Sequence, residues 1–178
     1  MKKSLIACAA LGSLILPLHA KDYKLPKENA LFSITFPEKW EVTHEDESVD
    51  GVSEDGAIEL YAQTDDAETI EDSVKESIEY LAGEGVTLKP DTEKKNEGEI
   101  NGMKVSGINW DGTDKDGACR ITLSFIDVGS DQVITLLYWG SIEAEKEHAI
   151  ELEKIIGSMK QLKDHKKGKA KKEDKEEK

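Results

Sequence analysis

The chain has 178 residues and a formal net charge of −14, from 38 acidic and 24 basic side chains. Setting aside two lysines in residues 1–20 and eight lysines against five acids in 163–178 leaves 33 acids and 14 bases over 21–162, a net charge of −19. A body this acidic repels phosphate backbones and anionic lipid, so it disfavours nucleic acid as a partner and favours cations or basic protein surfaces.

In chain order, residues 1–20 read as a cleavable export signal. Lys2 and Lys3 form a positive start, Leu5 to Leu16 an apolar run, and Pro17 a helix break, with Ala20 before the predicted cut at Ala20–Lys21. The run is shorter than the ~20 apolar residues a membrane span needs, so no stable membrane insertion is expected after cleavage. The predicted location is periplasmic or secreted. The alternative is lipid anchoring through Cys8, within Leu5-Ile6-Ala7-Cys8. It suffers because Cys8 lies close to Lys3 and processing there would leave the apolar residues 9–18 on the mature chain.

Residues 21–30 form an extended lead-in containing Pro26, outside a predicted domain of 31–162. Phe32, Ile34 and Phe36 alternate with polar residues, the period of a half-buried strand, and a second short strand starts at Trp40 and Val42. The acidic stretch 44–56 carries a short strand near Val49–Ser53, and Ile58, Leu60 and Ala62 mark another. Ile70, Val74, Ile78 and Leu81 then make one helical stripe. Thr69 and Asp72 are its expected capping box, and Gly83 and Gly85 its stop. Asn101-Gly102 predicts a tight hairpin between Glu97–Ile100 and Met103–Trp110. Apolar parity changes across Gly107, which predicts a bulge there. Residues 111–117 are the next predicted turn, 118–128 a long strand and 129–132 a further turn. Residues 133–139 (VITLLYW) form a central strand covered on both faces. A closing helix is expected from Ser141 to Leu162, with Leu152, Ile155, Ile156, Met159 and Leu162 as its stripe. The tail 163–178 lacks branched apolar and aromatic residues and is expected to be disordered. Strands and helices in this order give an α+β class, an antiparallel sheet with helices on both faces, a three-layer sandwich.

No catalytic, cofactor or metal set is assigned, and each fragment that resembles one has a plainer reading. His44-Glu45-Asp46-Glu47 lacks the second histidine of a zinc-protease motif, because position 48 is serine. Glu145 and His148 have the Glu-x-x-His spacing of di-iron bundles without the further ligands such bundles use. Asp111, Asp114 and Asp116 with Gly117 suggest a calcium loop, but Gly112 and Leu123 stand where its terminal ligands would be, so a hairpin turn is expected. Gly51 to Gly56 is one residue too long for a nucleophile elbow. Cys119, the one cysteine after residue 20, shares parity with Ile121, Leu123 and Phe125 and reads as a buried inert thiol. His44 and His148 are the candidate bases, and neither has a visible nucleophile.

The strand-turn FSITFPEKW (32–40), the hairpin INGMKVSGINW (100–110) and the closing YWGSIEAEKEHAIELEKIIGSMK (138–160) resemble the PsbP-like superfamily, across roughly residues 30–160. The superfamily spans the extrinsic PsbP protein of photosystem II, the Ran-binding Mog protein and exported bacterial proteins. The resemblance implies an antiparallel sheet between helices and a non-enzymatic binding or assembly role, and it transfers no functional residues. The expected function is an exported binding module of the cell envelope that engages a protein partner or cation through an acidic surface. Its alternatives are a small hydrolase or metal-dependent enzyme using residues 44–56, and a carrier of apolar ligands.

Overall fold

A computed structural model describes residues 20–66, 70–129 and 131–162. Most of the predicted export signal, the Thr69 half of the predicted capping box and the lysine-rich tail lie outside the described residues.

The lead-in is extended and belongs to the core. Residues Ala20–Leu25 form β1, paired antiparallel with β2 (Phe32–Pro37), with Tyr23 opposite Ile34 and Leu25 opposite Phe32. Tyr23 and Leu25 are both buried, so the packed domain starts about ten residues before the predicted 31. A second sheet of eight strands follows. Its members are β3 (Glu41–His44), β4 (Ser48–Val52), β5 (Ile58–Asp66), β6 (Thr87–Leu88), β7 (Lys94–Ile100), β8 (Met103–Asp114), β9 (Gly117–Asp127) and β10 (Gln132–Ser141). Its order is β3-β4-β5-β10-β9-β8-β6, with β7 also paired to β8. The apolar run 133–139 does lie centrally, between β5 and β9. Its side chains alternate between two cores: Ile134 and Leu136 face one, Val133, Leu137 and Trp139 the other.

Helix α1 (Ile70–Gly83) covers the second of these cores. It ends in a left-handed glycine: Gly85 has φ of 80°, its N–H donates to Ala82 O, and the Val86 N–H donates to Leu81 O. Ile70, Val74 and Leu81 of the predicted stripe pack against that core, and the helix departs from the prediction only around Ile78. Ser73, Ser77 and Leu81 are buried while Ile78 is exposed, because the sheet approaches the helix one step round from the apolar stripe. Small serines permit that approach, and Val74 and Ile78 are left beside a groove.

The opposite face of the large sheet is covered by a mixed layer where helices alone were expected. β1, β2 and β11 (Lys160–Gln161) form a three-stranded sheet, and α2 (Ile142–Glu147) and α3 (Ala149–Ser158) complete the layer. Phe32, Ile34, Phe36, Leu152 and Ile155 join one buried cluster with Leu60, Ala62, Ile126 and Ile134. The single closing helix predicted for 141–162 is therefore corrected. It breaks at His148 and stops at Ser158; Met159 is extended and buried, and Lys160–Gln161 pair with Ser33 and Phe32. Ser141 does cap it, its hydroxyl accepting from the Ala144 N–H at 3.0 Å.

Two further corrections concern β8. It carries no bulge: pairing with β9 is unbroken from Val105–Ile126 to Asp114–Gly117, and pairing with β7 from Lys94–Asn109 to Ile100–Met103. The parity change arises because both sheet faces are covered, so Met103 and Val105 serve one core and Ile108 and Trp110 the other. A Cβ at 107 would stand 2.7 Å from Asn96 Oδ1, a side-chain end free to swing aside, and 3.2 Å from the Leu123 carbonyl, so the space there is tight without any bulge. The turn predicted over 111–117 is also shorter, because the strands run on until only Lys115 and Asp116 remain between them. The Asn101-Gly102 hairpin forms as predicted, with φ of 50° and 85°.

Candidate functional site

Three places combine chemistry with access. The first is a polar junction where α2 meets α3. His148 caps the break, and its ring nitrogens lie 3.0 Å from Asp55 Oδ2 and 3.2 Å from Glu151 Oε2. Glu151 also pairs with Lys39 and accepts from the Trp40 indole N–H at 3.1 Å. Three distant turns are thereby joined. The hydrogen bond to Asp55 raises the His148 pKa, against a smaller opposing effect of burial. His148, then Ser53, hold Asp55 well below the usual carboxylate range. Burial pushes Glu151 up, but hydrogen bonds from Lys39, Trp40 and His148 outweigh it, leaving its pKa lowered.

This junction assembles no nucleophile. The Ser53 hydroxyl donates to Asp55 Oδ1 at 2.6 Å and accepts from the Ile58 N–H, so it serves the 53–57 turn and not His148. His44 hydrogen-bonds to the Lys24 carbonyl at 3.0 Å and sits edge-on to Tyr23. Residues 44–56 are a plain hairpin and turn, with β3 paired to β4. The structure also separates Glu145 from His148, because Glu145 binds Arg120 through both oxygens at 2.9 and 2.8 Å. Asp114 Oδ1 accepts from the Asp116 and Gly117 N–H groups and closes the β8–β9 turn. Among the described residues no three His, Cys, Asp or Glu side chains converge as a metal site. Cys119 is fully buried, and burial pushes its thiol up to about 11.

The second place is a pocket of about 320 Å³ between the 53–57 turn, the end of α1 and the 114–116 turn. Its lining includes Asp55, Glu59, Glu84, Asp114 and Asp116, with Trp139 among the apolar side chains and Lys115 the one basic residue. Glu59 is the carboxyl of this pocket whose pKa is pushed up. Burial first, then the charge of Asp50, raises it to about 7, and the Tyr80 hydroxyl donates to its Oε1 at 3.1 Å. Asp50 is raised too, chiefly by burial.

The third place is a groove along α1. A cavity of about 710 Å³ lies between Val74, Ile78 and Ala82 on the helix and Val86, Leu88, Ile108 and Trp110 opposite. It shares Val74, Lys95 and Ile108 with a second of about 510 Å³, so the opening continues along the helix. The size falls in the range of small-ligand sites, roughly 300–1,000 Å³.

Of the residues in these places the sequence singled out His148, Asp114, Asp116, Val74 and Ile78, and it left Asp55, Glu59, Glu84 and Glu151 unmarked. Glu151 three positions after His148 was a visible pairing, whereas Asp55 lies 93 residues from it and had no local signal.

No family model and no curated protein matches the chain. Similar folds occur among solved structures. A protein of Bacteroides thetaiotaomicron VPI-5482 aligns with a TM-score of 0.52 and 14% identity, over 80% of this chain and 48% of that one; this chain thus spans about half its length. The solution structure of cyanobacterial PsbP (CyanoP) from Synechocystis sp. PCC 6803 aligns at 0.53 and 11% identity, over 89% of this chain and 99% of that one. The crystal structure of LpqN, involved in cell envelope biogenesis of Mycobacterium tuberculosis, aligns at 0.53 and 10% identity, over 82% and 92%. Among the described residues no helix is long and apolar enough to cross a membrane. With its antiparallel sheet enclosed between helix-bearing layers, this chain has the PsbP-like fold.

Proposed function

We propose that the protein is an exported, non-enzymatic binding module of the cell envelope that holds a basic segment of a protein partner in the acid-lined pocket beside Trp139. The observation carrying this reading is the pocket itself, whose lining has five carboxylates and one lysine. Opposite charge steers encounter, and an aromatic floor favours the cationic side chain of lysine or arginine. Both candidate histidines are engaged by structural partners, which supports binding over hydrolysis. Cleavage after Ala20 would leave Lys21 first and keep Tyr23 and Leu25 in the core, so export and folding are compatible. The similarity to LpqN adds an envelope context.

The test is capture from envelope extract by the mature protein and by a Glu84→Gln/Asp114→Asn/Asp116→Asn variant. A partner retained by the first and lost by the second supports the reading. Equal capture by both, or no partner together with no effect of cations on melting, contradicts it.

A second reading, a carrier of apolar ligands, is favoured by the groove along α1. Native mass spectrometry of freshly purified protein would reveal a bound lipid, and a ligand-free spectrum would count against it.

A further inference from the structure

His148 stands at the break between α2 and α3 with a carboxylate at each ring nitrogen. Asp55 Oδ2 lies 3.0 Å from Nε2, and Glu151 Oε2 lies 3.2 Å from Nδ1. Both carboxyls are held below their usual range, so both are ionised and can only accept hydrogen bonds. A neutral imidazole has a single N–H to donate, so only the imidazolium satisfies both contacts. The geometry is that of a charged ring. Its other charged neighbours are Lys39 on the 37–40 turn, which pairs with Glu151, and Glu54 beside Asp55. On α2, Glu145 is taken up by Arg120. Asp55 is the one residue that belongs both to this junction and to the lining of the acidic pocket, and His148 itself stands outside that lining.

We propose that the charge on His148 gates the acidic pocket: the imidazolium neutralises Asp55, and loss of its proton gives the pocket the full charge of Asp55, so that basic segments bind more tightly. The gate rests on the pocket reading above, whose occupant is a basic segment of a partner, and it adds how that occupancy is regulated. Its sign follows from charge. Deprotonation leaves Asp55, Glu54 and Glu151 facing Lys39 alone, whichever ring nitrogen keeps its hydrogen. The Asp55 side chain is 47% exposed, so a cation in the pocket can reach it and water screens the effect to about threefold in affinity. Linkage makes the coupling reciprocal: a cation held in the pocket eases the loss of the His148 proton by the same factor. Glu59 also gains charge near neutrality, at about 7, and strengthens binding over the same range. The part played by His148 is therefore read as a difference between wild type and a variant that keeps Glu59.

The test is equilibrium binding of hexaarginine, whose charge does not change with pH, to the mature protein and to His148→Gln at about pH 6 and about pH 9. The variant keeps an uncharged donor for Asp55. It should bind about threefold more tightly than wild type at the lower pH and equally at the higher. A second measurement needs no variant. Saturating hexaarginine should lower the pH midpoint of the His148 ring resonances in the wild-type protein by about half a pH unit, the same factor seen from the other side. Equal binding by both proteins at the lower pH, weaker binding by the variant at both, or an unmoved midpoint overturns the gate and leaves the pocket reading standing. No binding to either protein at either pH removes the pocket reading, and the gate with it.

Discussion

The Asn101-Gly102 turn does more than reverse the chain. Asn101 has φ of 50°, and its side-chain amide donates to Gly157 O at 3.0 Å and Met159 O at 2.7 Å. The β7–β8 hairpin thus caps the end of α3, more than fifty residues away, and satisfies carbonyls that a helix end leaves unpaired. Two substitutions separate the roles. Asn101→Gly keeps the left-handed backbone and loses both bonds, each worth about 1 kcal/mol net, for a cost of about 2 kcal/mol. Asn101→Ala adds the strain of a positive φ, about 1 kcal/mol more. Asn101→Asp should be worse than glycine, because a carboxylate would face two carbonyls with no donor. Against a total stability of about 5–15 kcal/mol these are large losses, and each kcal/mol lowers Tm by about 2–4 °C in a domain near this size. Urea denaturation followed by tryptophan fluorescence gives the ranking. A glycine variant within about 0.5 kcal/mol of wild type, or an aspartate variant as stable as glycine, would refute the capping role.

The remaining predictions concern titration and access. His148 has a raised pKa, so its contribution is complete below the unfolded value of ~6.5 and fades as pH rises through the folded value. Asp55 is lowered, so its share is present above its ordinary value near 4 and fades in acid. His148→Gln should therefore cost about 1 kcal/mol near pH 6, a figure reduced for the half-exposed Asp55, and clearly less near pH 9. Chemical denaturation at the two pH values decides it, and an equal cost at both would exclude the charged junction. Cys119 should not react with a thiol reagent in the native state and should react fully in urea; rapid native labelling would contradict its burial.

Much of the fold was legible because its signals are local. Asn-Gly needs only its own dihedrals to make a hairpin, the β10 run VITLLYW shows double coverage in its composition, and Ser141 caps its helix three residues away. Errors came where a third element decides. The parity change at Gly107 has the pattern of a bulge unless both faces are buried, and the coverings of those faces come from distant residues. Leu162 fits a helical stripe, but β2 offers an open edge, so residues 160–161 join it as a strand. Ile78 continues the stripe of α1, and only the angle of approach to the sheet turns it outward. The candidate sites were the least legible. Asp55, Glu59, Glu84 and Asp114 come from four different segments, and nothing local marks them as walls of one pocket.

Whether a basic partner segment is held in the pocket beside Trp139 is decided by photo-crosslinking in the intact envelope. A photoreactive residue replaces Lys115 at the pocket, and in a separate variant Glu41 on the edge strand β3. An occupied pocket gives a discrete adduct from position 115, absent from position 41 and lost when Glu84, Asp114 and Asp116 are neutralised. The same adducts from both positions, or none from either, would contradict it.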